Sequence, residues 1–382
     1  MRLPAFLTKA ARRRPPLSRG FASLPWHRAS PEQGIEAQLR DGYVTNAIGL
    51  RAVRLVAESA GSVPLRLTRG HPAEPILARP CRGTTGGDLL EAVAAQLLLH
   101  GNAFIDVVED GQGWPAALHA LRPERVTIEP GADGWPAAYA YRAGQSVTRY
   151  PAVDGAGRPG LLHLKSYHPL DDHYGLGCLA AAQQAIATHR AASRWNAALM
   201  ENAARPSGML VYDAGDGSTL SPEQYERLKA EMEAGFQGAG NAGRPMLLEG
   251  GLKWQPLSFS PAELDFAGSK AAAAREIALA FGVPPLLLGL PGDNTHANYR
   301  EANRALWRLT VLPLAKRIVR GLEAHLKHWW CDLELWLDTD AVPALAGERE
   351  ELWGMVDRAT FLTVEEKRRM LGIDGPSETE EA

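Results

Sequence analysis

Residues 260–330 read SPAELDFAGSKAAAAREIALAFGVPPLLLGLPGDNTHANYREANRALWRLTVLPLAKRIVRGLEAHLKHWW. The run has four parts: a helix, an ordered turn, a polar Gly-rich loop and a long helix. Ser260 is suited to an N-cap, Pro261 to the first helical position, and Glu263 completes a capping box. Gly282 ends the first helix, and Pro284 with Pro285 blocks its continuation. A second helical pattern starts near Thr295 and places Tyr299, Ala302, Leu306, Leu309 and Leu312 at helical spacing. Pro313 must kink or break that helix, because it has no N–H and clashes with the carbonyl four residues back. Two helices joined by Gly, Pro, Asp, Asn and His describe a device that presents a loop rather than an enzyme cleft.

The chain has 382 residues, enough for two or three domains with their own cores. The formal net charge of -3 excludes a protein that coats nucleic acid, but leaves room for a channel that touches DNA weakly. Cys81, Cys178 and Cys331 are far apart and in no metal-like spacing, so structural thiols in a reducing compartment are expected. No apolar run is long enough to span a bilayer, and no membrane partner is expected. Residues 1–34 are basic and almost free of acid, with Arg12, Arg13 and Arg14 in a row. Such a leader fits a transit peptide or a disordered basic arm. Pro4, Pro15, Pro16 and Pro25 favour the arm.

Upstream of the central run, Glu36 to Ala60 form a helical pattern with Val44, Ile48, Val53, Val56 and Ala57 as its apolar positions, ended by Gly61. A strand at 62–68 and a Pro-rich loop from Gly70 to Gly87 follow. Asp88 to His100 is a second helix, closed by Gly101. Strands are expected at 103–108, 126–129, 137–142, 146–150 and 161–165, with turns at Asp110-Gly111, Asp133-Gly134 and Asp154-Gly155. An Ala-rich helix spans Cys178 to Asn202; its slim surface suits close neighbours. Gly208 to Tyr212 is a strand, Ser221-Pro222-Glu223-Gln224 opens a capped helix, and 245–249 with 252–257 reads as a hairpin. Beyond Trp330, residues 333–338 read as a strand rejoining the early sheet. Two short helices and an acidic tail follow, with Thr363 and Glu366 as a capping box.

Chemistry-bearing groups are few. His168, Asp171, Asp172 and His173 form the most metal-like cluster and would suit a metal-dependent hydrolase. Nothing downstream supplies a third metal partner, and a turn capping the helix at Cys178 explains the same residues and is preferred. The loop from Gly289 to His296 lacks the order of a phosphate-binding loop, and no Ser or Cys sits in a nucleophile elbow. Neither catalytic residues nor cofactors are expected. Arg300, Arg304 and Arg308 recur at four-residue spacing, which suits a solvated or interface face paired with Glu301. The same stripe could meet phosphates, as in a nucleic-acid-binding module. Trp307, Trp329 and Trp330 suit core or interface anchors better than base-stacking platforms.

Six ordered segments carry a family resemblance: TNAIGLRAVRLVAESAGSVPL, LLLHGNAFI, LHLKSYHPLDDHYGLG, AASRWNAALMENAARPSGML, AREIALAFGVPPLLLG and NYREANRALWRLTVLPL. In this order they resemble the portal proteins of tailed bacteriophages, in the branch common to siphovirus-like prophages and gene transfer agents. The resemblance implies an α+β portal fold. Residues 35–177 would be the β-rich wing, 178–204 the first stem helix and 205–258 a small αβ clip. Residues 259–283 would be the second stem helix, 284–298 the tunnel loop, 299–346 the kinked tunnel helix with its return to the wing, and 347–382 a short C-terminal part.

The resemblance also implies a ring, dodecameric in the family, at one vertex built of the major capsid protein. Double-stranded DNA would pass through it, and the terminase large subunit and head-completion or adaptor proteins would dock on it. By the same resemblance Asp293, Asn294, Thr295 and His296 would face DNA in the tunnel loop. Pro313 would set the helix kink, and Glu223, Arg227 and Glu231 would meet the motor or adaptor. The short region after the tunnel helix departs from larger relatives and argues against a large crown.

Overall fold

A computed structural model of the chain describes residues 34–201, 208–212, 221–236, 252–256, 266–290 and 296–371. The expected N-terminal helix is divided. α1 (Ile35–Leu39) runs into a π-helical turn at Arg40–Val44, and α2 spans Ala47–Ser62. Asn46 causes the break: its backbone is extended, and its Oδ1 accepts from the amides of Ile48 and Gly49. Val44, expected to point inward, is 69% exposed, because the wide turn takes it out of the helical period. Gly61 does not stop α2. It permits a close crossing instead, since a Cβ there would lie 2.6 Å from the carbonyl oxygen of Gly87.

β1 (Leu65–Leu67) follows, then α3 (Glu74–Ala78), a helix in what reads as a Pro-rich loop. Pro75 sits in its first turn, where a missing N–H costs nothing. α4 (Gly86–His100) opens on a reciprocal Thr85–Asp88 capping box and closes on Gly101 in the left-handed region. β2 (Asn102–Glu109), β3 (Pro115–Leu121), β4 (Val126–Pro130), β5 (Pro136–Ala143), β6 (Ser146–Pro151) and β7 (Leu162–Lys165) form two antiparallel sheets, ordered β3-β2-β7 and β4-β5-β6. Asp110, Asp133 and Asp154 each accept backbone amides two residues on, as the turn motifs demand. β3 was not expected. Its Ala-Ala-Leu-His-Ala stretch has weak strand propensity and is held by pairing with β2, Phe104 opposite Leu121.

The Ala-rich segment divides into α5 (Cys178–Ala181) and α6 (Gln183–Glu201). β8 (Gly208–Tyr212) and β9 (Leu252–Pro256) pair antiparallel, flanking α7 (Pro222–Phe236) in sequence. Ser221 and Gln224 form the expected reciprocal cap of α7. The hairpin partner expected at 245–249 lies outside the described residues. α8 (Phe266–Ala280), α9 (His296–Leu306) and α10 (Leu312–Leu326) follow, then β10 (Leu335–Leu337), α11 (Ala346–Arg358) and α12 (Val364–Met370). The expected start of α8 at Ser260 lies outside the described residues. The Thr363–Glu366 box caps α12 as expected.

The main core joins distant parts of the chain. Ala52, Val53, Val56 and Ala60 of α2 meet Leu90, Val93, Ala94 and Leu97 of α4, and Ile318, Val319 and Leu322 of α10 close the same cluster. β10 pairs with β1, Leu65 opposite Leu337, so the strand after Trp330 does rejoin an early strand. α10 crosses β7 at Gly321, where a Cβ would lie 2.3 Å from Leu164 Cδ2. A second cluster of Phe104, Leu121, Val126, Ile128, Tyr139 and Leu161 joins the two sheets.

Candidate functional site

α6 and α8 pack against each other. Ala185, Ile186 and Ala192 of α6 are buried, as are Ala273, Ala274, Ile277 and Ala278 of α8. Small side chains allow this close approach, as the Ala-rich sequence requires. α8 stops because Gly282 adopts φ +66°. Its carbonyl accepts a 2.7 Å hydrogen bond from Thr310 Oγ1, which ties the end of α8 to the helix returning 28 residues later. Pro284 then holds an extended backbone, and Pro285–Leu288 form a 3-10 turn ended by Gly289. Asp293, Asn294 and Thr295 lie outside the described residues. His296 is the first residue of α9, with its side chain outside them.

Pro313 does not end the helix. It sits in the first turn of α10, where a missing N–H is tolerated. The break lies just upstream, a π-helical turn at Trp307–Val311 closed by the Leu312 amide bonding to the Trp307 carbonyl. A proline at 313 withdraws the bond the carbonyl four residues back would receive, and the wider turn precedes it. Two exposed leucines were not legible in the sequence. Leu309, expected on the apolar face, is 77% exposed, and Leu279 near the end of α8 is 78% exposed. The Gly282–Thr310 bond ties together the two segments that carry these leucines.

The arginine stripe also divides. Arg300 is exposed on α9, and Arg304 pairs with Glu301 at 3.2 Å. Arg308, in the π turn, instead lines an open groove of about 680 Å³ with Leu312, Pro313, Lys316, Arg317 and Arg320. Trp307 and Trp330 are buried, and Trp329 donates to Glu109 Oε1 at 2.9 Å under the Arg158 guanidinium, so all three are anchors. Glu223, Arg227 and Glu231 lie on α7 at four-residue spacing, with Glu223 and Arg227 exposed.

The metal-like cluster is a turn. Asp171 Oδ1 accepts from the amides of His173 and Tyr174, and His168 Nδ1 accepts from Leu170. Among the described residues no group of three or more His, Cys, Asp or Glu is placed to hold a metal ion. His163, stacked 4.3 Å from Phe104, is pushed down to about 3 by burial, and His325 to about 4. No helix among the described residues is long and apolar enough to cross a membrane.

The phage portal protein family model matches residues 48–372. The chain belongs to the phage portal protein family. A chain from the neck of a native gene transfer agent particle, computed with C12 symmetry, is 48% identical, with a TM-score of 0.71 over 90% of this chain and 94% of that one. An uncharacterized protein of Rickettsia bellii is 40% identical over 349 residues, 87% of this chain and 88% of its own length. The probable portal protein of Streptomyces phage phiC31 is 26% identical over 334 residues, 83% of this chain and 72% of its own. The mixed helix-and-sheet architecture is that of a portal protein.

Proposed function

We propose that this portal-family chain is the ring subunit of a phage-derived particle, lying at one capsid vertex and passing double-stranded DNA through a central channel. The observation that carries it is the likeness to a particle-neck protein determined with C12 symmetry, over nearly the whole of both chains. It supports a twelve-subunit ring. Residues 35–177 with the return through α10 and β10 are then the wing, α6 and α8 the two stem helices, and 205–258 the clip. The segment around 291–296 is the tunnel loop, aimed by α9. The clip face bearing Glu223, Arg227 and Glu231 is the docking surface for a terminase motor and later an adaptor.

A ring needs two different surfaces on each subunit that mate with a rotation closing on itself. Leu279 and Leu309, both exposed and carried on segments that the Gly282–Thr310 bond ties together, are assigned to one such surface. The chain is structural in this reading, with no reaction of its own. The metal-dependent hydrolase is not favoured, since Asp171 and His168 are already spent on turn amides. Sedimentation of the full-length protein across a concentration series tests the proposal. A discrete species of about twelve copies is expected; a monomer at all concentrations contradicts it.

A further inference from the structure

The groove on α10 has no role in the fold just described. Arg308, Lys316, Arg317 and Arg320 line it beside Leu312 and Pro313, and among the described residues no carboxylate lines it. The nearest acid on the same helix, Glu323, is held by Lys327 at 2.5 Å and by the Leu335 amide, and it also feels the charge of Arg320 at the end of the row. Arg317 is anchored by a hydrogen bond from its Nη2 to the Lys165 carbonyl. Its guanidinium is therefore positioned rather than mobile. All this lies on a chain whose net charge is -3, so the positive field is local to this face.

Resting on the portal reading, we infer that this groove is a phosphate-backbone contact for double-stranded DNA, separate from the tunnel loop. The length of the cationic row carries the choice of ligand. From Arg308 to Arg320 the helix rises about 18 Å. That spans about five phosphates of one strand along the duplex axis. A single phosphate group would use one end of the row. An acidic protein surface is the other candidate, but the acidic helices of this chain interleave their carboxylates with cations: Arg227 and Lys229 on α7, Arg349 and Arg358 on α11. A polyphosphate chain offers continuous negative charge at matching length. Contact through four cations per subunit is also weak enough to release, as DNA in transit requires.

The test uses the full-length protein and a labelled 30-base-pair duplex, with affinity measured between 50 and 200 mM salt and particle images taken of the same samples. Four phosphate contacts predict a loss of about 150-fold in affinity over that range. In Lys316→Glu with Arg320→Glu, which leaves the anchored Arg317 in place, the loss should shrink to about 12-fold, as two contacts predict. Arg142→Glu, on the exposed face of β5, should leave it near the wild-type value. An unchanged salt dependence in the double variant overturns the inference. So does an equal effect of Arg142→Glu, which would reduce it to global charge, or tighter binding of a poly-glutamate peptide than of the duplex at the same residues. Rings with no salt-sensitive DNA binding refute the groove alone; absence of rings refutes the portal reading instead.

Discussion

At the scale of single residues, Gly282 carries the joint between α8 and the π turn at Trp307–Val311. Its φ of +66° is a region that other residues enter at a cost of about 1–2 kcal/mol. A Cβ would also come within 2.8 Å of Thr310 Oγ1. Gly282→Ala should therefore lower stability by at least that amount in urea denaturation; a midpoint equal to wild type would show that the joint relaxes freely. Two buried histidines set a pH limit. His163 at about 3 and His325 at about 4 lie below the unfolded value of about 6.5. As pH falls the unfolded chain takes up these protons first, so the stability present above pH 6.5 is lost progressively toward pH 4 to 3. At pH 5 each histidine should remove about 2 kcal/mol. Denaturation at pH 7.5 and 5.0 should show this loss, and His163→Gln should reduce it by about half. Identical midpoints at the two pH values would contradict the burial argument.

At the scale of elements, local chemistry was legible and register was not. The terminators Gly101 and Gly282, the caps at Ser221 and Thr363, and the Asp turns were all readable, because each depends on one or two residues acting on their own backbone. β3 was not readable, because its partner β2 supplies what its own residues lack. The π turns were not readable either, since a periodic pattern assumes one pitch throughout. That single assumption misplaced Val44 and Leu309 on inward faces. It also merged Arg308 with Arg300 and Arg304, when Arg308 lines the α10 groove. Asp293, Asn294 and Thr295, which the resemblance assigns to a tunnel loop, lie outside the described residues.

Two predictions belong to these elements. Leu279→Glu with Leu309→Glu leaves the core of α2, α4 and α10 untouched, so the variant should keep its thermal unfolding within a few degrees while losing the assembled species in sedimentation. Full assembly of the variant would show that this patch is not a subunit interface. Pro313→Ala restores an N–H four residues after Leu309 and allows a regular α-helix through Trp307–Val311. Monomer stability should hold or rise slightly, and ring yield should fall because α9 is re-aimed. Unchanged ring yield would show that the π turn is independent of Pro313.

At the scale of the molecule, the fold explains why one copy is incomplete. The core is well closed where α2, α4 and α10 meet, bringing residues near both ends of the described chain together. By contrast α8 and the π turn each carry a leucine side chain into solvent, Leu279 and Leu309. Both features make sense when several copies share an axis and each sends one loop toward it. Cryo-electron microscopy of the purified full-length protein tests this most directly. Class averages should show closed rings of twelve subunits around an open channel, with Leu279 and Leu309 covered by the neighbouring copy. Monomers or two-fold dimers with both leucines still exposed would contradict the account.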